Sequence, residues 1–142
     1  MEKEFVPYEL ALRMKQLGFD EPSLYAWCNK GGRNEYTGKE EPIIQVLRTD
    51  GNPFGNFFNG KNWNIEIVNN AKSNIQCSAP LFQQAFRWFR ENHDLNYVIV
   101  KAESWFYTIN GCNTQEGFKT YEEAELACLT KLIKIVQGGN NE

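Results

Sequence analysis

The sequence predicts an α+β protein in which an antiparallel sheet of about five strands is covered by helices on one face. Three stretches have helical periodicity, and five short stretches are rich in β-branched and aromatic residues. They follow one another in the order α-β-β-β-α-β-β-α. Hydrophobic residues make up 42% of the 142 residues, enough for a packed core. We therefore predict a single domain over residues 1–137, with a flexible tail at 138–142.

The first helix is predicted at residues 7–19. Pro7 suits a first helical turn, because its fixed φ is compatible with a helix and its missing N–H is not needed there. Gly18 fits the left-handed position just after a helix, and Phe19 can fold back against the last turn. These signals predict both ends of the helix.

The second helix is predicted at residues 78–93, where phenylalanine and alanine recur at helical spacing. Ser78 is interpreted as its N-cap, and Pro80 suits its first turn.

The third helix is predicted at residues 120–137, where Thr120 and Glu123 have the spacing of a capping box. Its apolar residues cover more than half of the helix circumference. A helix of this kind is expected to lie across a sheet or in a dimer interface, and we predict a homodimer from it.

The predicted strands are short and end at turn residues. The last two form an adjacent pair that is closed by a turn at Asn110 and Gly111. The five strands are predicted at residues 23–29, 42–49, 62–68, 96–102 and 104–110.

Composition excludes several classes of function. The formal net charge is −3, with 15 basic and 18 acidic residues, so we predict no binding to duplex nucleic acid. No apolar stretch approaches the length of a membrane span, and the N-terminus does not resemble a secretory signal, so we predict a cytoplasmic protein without a membrane partner. The four cysteines and single histidine do not follow a zinc pattern, and we predict neither a metal nor a cofactor.

Three segments together carry a family resemblance: ALRMKQLGFDEP, SAPLFQQAFRWFREN and TYEEAELACLTKLIKIV. They resemble short uncharacterised proteins of Bacteroidales genomes and of the phages that infect those bacteria. The resemblance implies a small cytoplasmic protein, carried by a phage or mobile element, that binds host molecules. It implies no activity, cofactor or site residue.

Signals for catalysis are weak. A nucleophilic cysteine needs a nearby base, and the candidate pair in this sequence is Cys112 with His93. His93 ends a predicted helix, where an imidazole commonly interacts with the helix dipole. Adjacent glutamates such as Glu122 and Glu123 point in different directions and do not form an acid–base pair. We predict that the protein is not an enzyme.

The segment DGNPFGNFFNGKNWN, residues 50–64, combines five asparagines with four large aromatic residues. Aromatic rings stack on nucleobases, and asparagine side chains hydrogen-bond to base edges. Packing of the rings into the core is the alternative interpretation. The predicted ligand-binding residues in this segment are Phe57, Phe58, Asn59, Lys61 and Trp63.

Three further ligand-binding residues, Arg87, Trp88 and Arg90, are predicted on the second helix. Arginine can bind phosphate through two hydrogen bonds and can stack on a base. A solvated helix face is the alternative interpretation of this group.

Taken together, the residues favour a non-enzymatic protein that binds a small, nucleotide-like molecule. In the phage setting that the resemblance implies, its role could be to sequester a signalling molecule of host defence. The alternative function is a protein–protein interaction module that inhibits a host protein through exposed aromatic residues.

Overall fold

The computed structural model describes residues 4–23, 25–28, 43–46, 64 and 75–138. In these ranges the chain forms three helices and six strands. In chain order they are α1 (Tyr8–Gln16), β1 (Tyr25–Cys28), β2 (Ile43–Val46), β3 (Ile75–Ser78), α2 (Phe82–His93), β4 (Tyr97–Lys101), β5 (Trp105–Ile109), β6 (Asn113–Phe118) and α3 (Tyr121–Gly138). The predicted α+β class with antiparallel pairing is confirmed.

The chain forms two compact units, Met1–Phe82 and Gln83–Glu142. Each has its own three-stranded antiparallel sheet, with strand orders β2-β1-β3 and β4-β5-β6, where one sheet of about five strands was predicted. The single domain over residues 1–137 stays a prediction. Helix α3 ends at Gly138, and the rest of the predicted tail lies outside the described residues.

In the first unit the central strand β1 pairs with both neighbours, so that Ala26 lies opposite Gln45 on one side and Ser78 on the other. Helix α1 packs against β3. The indole N–H of Trp27 donates to the backbone oxygen of Val6 at 3.1 Å. This bond satisfies the one polar group of a ring that is otherwise buried.

The predicted C-terminus of α1 is confirmed in detail. Gly18 has a φ of 95°, and its N–H donates to the Lys15 carbonyl at 3.1 Å. The Phe19 N–H donates to the Met14 carbonyl at 3.0 Å, and the Phe19 ring is buried. These two bonds form the Schellman motif, which satisfies carbonyl groups that the helix leaves without partners.

The predicted start of the second helix is corrected. Helix α2 begins at Phe82, and Ser78 belongs to strand β3, a strand that the sequence did not predict. Ser78 pairs with Ala26, and the Pro80 carbonyl accepts the Val6 N–H at 2.9 Å, so these residues are held in an extended conformation.

The strand predicted at residues 62–68 lies outside the described residues, except for Asn64, which is in a turn.

In the second unit both helices lie on one face of the sheet. Helix α3 contacts all three strands, and the ring of Phe86 in α2 stacks on Tyr97 of β4 at 4.1 Å. Tyr107 and Ile109 are buried on this face, whereas Val98 on the opposite face is 54% exposed. For this sheet the prediction of helices on one face is confirmed.

The predicted turn at Asn110 and Gly111 is confirmed, since their φ values are 53° and 71°. It leads into a further strand, β6, that the sequence did not predict. The register between β5 and β6 shifts opposite Trp105, and the extra residue is Gly117 with a φ of 96°. This bulge brings Phe118 to the helix-covered face, opposite Trp105.

The N-terminus of α3 has the predicted cap from Thr120, while the Glu123 side chain accepts from the residue before the N-cap. The Glu123 N–H donates to Thr120 Oγ1 at 3.1 Å, and Glu123 Oε1 accepts the Lys119 N–H at 3.1 Å. The apolar arc of the helix lies across the sheet, which is one of its two predicted locations. The homodimer stays a prediction.

Candidate functional site

The five ligand-binding residues predicted between residues 57 and 63 lie outside the described residues. Of the segment DGNPFGNFFNGKNWN, the structure describes Asn64. Its Nδ2 donates to the Phe19 carbonyl at 2.9 Å, and its Oδ1 accepts the Ser78 N–H at 2.9 Å. This side chain therefore holds two backbone segments of the first unit together.

The three residues predicted on the second helix are separated by the structure. Arg87 and Arg90 are exposed on α2, whereas Trp88 is only 3% exposed. The Trp88 ring packs edge-on against Phe89 at 5.0 Å and against His93 at 4.8 Å. Trp88 therefore contributes to the core, and neither ring face is open for a base to stack on.

A different group of side chains forms a groove between β6 and α3, entirely within the second unit. We name it the strand–helix groove. It consists of a cavity of about 620 Å³ and a smaller one of about 300 Å³, and both are lined by Tyr107, Gln115 and Lys131. The larger cavity extends to Phe118 and Leu126, and the smaller one to the β5–β6 turn.

Strand pleating explains the strand side of the groove. Gln115 lies directly opposite Tyr107 in the sheet, so both side chains point to the face that α3 covers. The bulge at Gly117 adds Phe118 to that face, and the rings of Tyr107 and Phe118 stack with centroids 6.0 Å apart. The strand side therefore presents an aromatic surface beside an amide.

Helical periodicity explains the other side. The α3 residues that line the larger cavity recur at three- and four-residue intervals and form one stripe beside the buried stripe. They combine aliphatic side chains, of which Leu126 is 41% exposed, with two lysines, one carboxylate and one hydroxyl. These residues are Glu123, Leu126, Ala127, Thr130, Lys131 and Lys134.

None of the groove residues was predicted as a ligand contact. The helix dipole alone accounts for lysines in the second half of a helix, so Lys131 and Lys134 gave no separate signal. The stripe from Glu123 to Lys134 is visible in the sequence. Its partner strand was not predicted, and without β6 the stripe has nothing to form a groove with.

One hydrogen bond inside the groove fixes a polar group. The hydroxyl of Tyr107 donates to Gln115 Oε1 at 3.0 Å. The Tyr107 residue is 3% exposed, so its ring is held by the core, whereas Gln115 is exposed. The buried Tyr107 ring therefore fixes the orientation of the exposed Gln115 amide through this bond.

A cluster of titratable groups lies elsewhere on α3. Partial burial raises the pKa of Glu125, and the neighbouring charge of Glu122 raises it further, while a hydrogen bond from Tyr121 lowers it. Burial, followed by the charge of Glu125, raises the pKa of the Cys128 thiol to about 12. Cys128 is therefore protonated at neutral pH and is a poor nucleophile.

Cys112 and His93, the weak candidate pair for nucleophilic catalysis, are not in contact through a hydrogen bond in the described residues. Cys112 is exposed in the turn between β5 and β6, and His93 packs against Trp88 and Phe89.

Neither a metal-binding group nor a membrane-spanning helix is present in the described part of the chain. It contains no group of three or more histidine, cysteine, aspartate or glutamate residues placed to hold a metal ion. None of the helices observed there has the length and apolar character needed to cross a membrane.

No protein-family model matches the sequence, and neither a curated protein nor a solved structure shows significant similarity to it. The resemblance to Bacteroidales and phage proteins therefore stays a prediction.

Proposed function

We propose that the protein is a non-enzymatic binding protein and that its ligand is a small, nucleotide-like anion held in the strand–helix groove. The observation that carries this proposal is the combination, in one groove, of an aromatic and aliphatic surface with two lysines. A nucleotide has the matching parts, because it joins a flat base to a phosphate.

The apolar part of the groove suits a base. Phe118 of β6 and Leu126 of α3 both line the larger cavity, and the Tyr107 ring stacks beside Phe118. Burial of apolar surface contributes roughly 25 cal/mol per Å². A flat ring placed between an aromatic and an aliphatic side chain would remove apolar area of both protein and ligand from water.

The charged part suits a phosphate. Lys131 and Lys134 are three residues apart on α3, so their side chains leave the same side of the helix. Lysine binds phosphate as a point charge with three N–H donors. Lys134 is exposed, so a ligand can reach it from solvent.

The size of the groove also fits. The larger cavity, of about 620 Å³, lies within the range of roughly 300–1,000 Å³ that is typical of small-molecule sites. A single nucleotide fills such a volume, whereas a long nucleic acid would need a basic surface that a chain with a net charge of −3 lacks.

A panel of nucleoside monophosphates and diphosphates tests the proposal on the full chain. We expect at least one nucleotide to raise the melting temperature in proportion to the logarithm of its concentration, with a Kd measurable by calorimetry. Lys134→Glu should weaken binding about tenfold, because it replaces an attraction to phosphate by a repulsion.

Lys101→Glu is the matched control. Lys101 is exposed on β4 and does not line the groove, so the same charge reversal there should leave Kd almost unchanged. Absence of a shift with every nucleotide at millimolar concentration would overturn the proposal. An equal loss of affinity in both variants would exclude the groove as the site.

A protein–protein interaction module is the second candidate. It is favoured by the outer face of the second sheet, where Val98 and Val100 are 54% and 39% exposed and Phe106 lies directly opposite Val100. Adjacent exposed apolar side chains on a sheet are typical of contact surfaces. The nucleotide panel separates the two candidates, because a protein–protein interaction module is not expected to bind a nucleotide in the groove.

A further inference from the structure

We infer that Gln115, held in orientation by Tyr107, selects bases that present a carbonyl oxygen over bases that present an amino group. The inference rests on the proposed function and adds the chemical class of base that the groove accepts. Gln115 is assigned as a specificity-determining residue, and Tyr107 as the residue that positions it.

The inference starts from the geometry of the two side chains. Tyr107 is buried and lies directly opposite Gln115 in the β5–β6 register. Its hydroxyl donates to Gln115 Oε1 at 3.0 Å. The ring cannot move without disturbing the core, so the bond holds the carbonyl end of the amide toward the Tyr107 hydroxyl. The Nε2 end must then point the other way.

The orientation determines what the groove offers to a ligand. Gln115 lines both cavities, and within the described part of the chain its Nε2 has no protein acceptor. The amide therefore presents N–H donors, while its oxygen is turned toward the Tyr107 hydroxyl. A carbonyl oxygen of the base, such as O6 of hypoxanthine, accepts from Nε2. An exocyclic amino group places a donor against a donor.

Two other polar side chains that line the larger cavity already make hydrogen bonds. The Thr130 hydroxyl donates to the Leu126 carbonyl at 2.8 Å. Glu123 Oε1 accepts the Lys119 N–H in the helix cap. Asn113 lines the smaller cavity and not the larger one. Gln115 is therefore the side chain that is best placed to distinguish the polar edges of two bases.

Inosine 5′-monophosphate and adenosine 5′-monophosphate test this inference, because both carry the same ribose phosphate and differ at the N1–C6 edge of the purine. We expect the full chain to bind the inosine nucleotide about three- to tenfold more tightly, the range of one solvent-accessible neutral hydrogen bond. Calorimetry gives both Kd values, and their ratio is the readout.

Three variants test whether the difference between the two Kd values comes from Gln115 and Tyr107. Gln115→Met removes the amide and should bring the ratio close to one. Tyr107→Phe keeps the ring and removes the hydroxyl, so the Gln115 amide can rotate. The ratio of the two Kd values should therefore also fall toward one. The affinity for the inosine nucleotide should change less than in Gln115→Met. Gln115→Glu should favour the adenosine nucleotide, because a carboxylate accepts from an amino group.

Gln83→Met is the matched control. Gln83 is exposed on α2 and does not line the groove, so the same substitution there should leave the ratio unchanged. Gln115 is exposed on an edge strand, so its variants are expected to fold. The ratio also separates selectivity from any general loss of affinity, which affects both nucleotides alike.

The outcomes are distinguishable. If neither nucleotide binds, the proposed function fails and the inference fails with it. If both bind with equal affinity, or if the adenosine nucleotide binds more tightly, the groove remains the site and the inference is overturned. A ratio that persists in Gln115→Met also overturns it.

Discussion

The ionised carboxylate of Glu125 on helix α3 lowers the free energy of unfolding. Its carboxylate is partly buried between α3 and the sheet, where it accepts a hydrogen bond from Tyr121 and lies near Glu122. Desolvation disfavours the charged form, so the pKa of Glu125 is raised from its ordinary value of 4.5. The neighbouring Tyr97 and Tyr121 also have raised pKa values, for which burial is the largest cause.

We predict that Glu125→Gln stabilises the protein at pH 7. A folded-state pKa above the unfolded value means that ionisation disfavours folding, so the cost is absent below about pH 4.5 and develops as the pH rises through the raised pKa. Glutamine keeps an acceptor for the Tyr121 hydroxyl. The gain should be below about 1 kcal/mol, because solvent screens a partly exposed group.

Urea unfolding at pH 7 and pH 4 measures this effect. The difference between the variant and the parent protein should shrink at the lower pH. Glu91→Gln, on the exposed side of α2, is the control and should change the midpoint little at either pH. A destabilised Glu125→Gln variant at pH 7 would contradict the prediction.

At the scale of elements, the end of α1 and the start of α3 were readable from the sequence because their chemistry is local. The left-handed glycine after α1 and the capping residues before α3 each act within a few residues of the chain. Strand β6 was missed because its sequence NTQEGF has few β-branched or aromatic residues. The preceding turn is local, but it is the pairing with β5 that makes this segment a strand.

We predict that Gly18→Ala destabilises the protein by about 1 kcal/mol. The φ of Gly18 is 95°, a conformation that an L-residue with a Cβ adopts at an energetic cost. No atom lies within 4 Å of the added Cβ, so the cost is backbone strain and not a clash. The free energy of unfolding in urea gives the measurement.

Gly138→Ala provides the comparison for that strain. Gly138 is the last residue of α3, and its added Cβ also has no atom within 4 Å. Alanine favours the helix by up to about 1 kcal/mol over glycine, so this variant should be neutral or slightly stabilised. Equal effects of the two substitutions would rule out conformational strain at Gly18.

At the scale of the whole molecule, the second unit contains every residue of the strand–helix groove. It also has a three-stranded sheet with α3 packed across it and α2 in contact with β4 through Phe86 and Tyr97. A unit of roughly 60 residues can fold alone, although with marginal stability, since it buries a smaller fraction of its surface than a larger domain.

We therefore predict that a fragment of residues 80–142 folds and binds the same nucleotide as the full chain, with a Kd within about threefold. The fragment retains the residues before α2, and its melting temperature should be lower than that of the full chain. Circular dichroism and calorimetry measure both properties. A fragment that folds cooperatively and does not bind would show that the groove needs the first unit.

The sequence by itself determined the α+β class, the three helices, the hairpin from β4 to β5 and the turn that follows. Those features depend on periodicity, caps and turn residues, which act over short distances along the chain. It did not determine which aromatic residues are buried, since Trp88 looks the same in sequence whether it packs on His93 or faces solvent. Nor could it place Gln115 beside Tyr107. Only the pairing of β6 with β5, and the packing of α3 across both, brings an aromatic surface, an amide and two lysines into one groove.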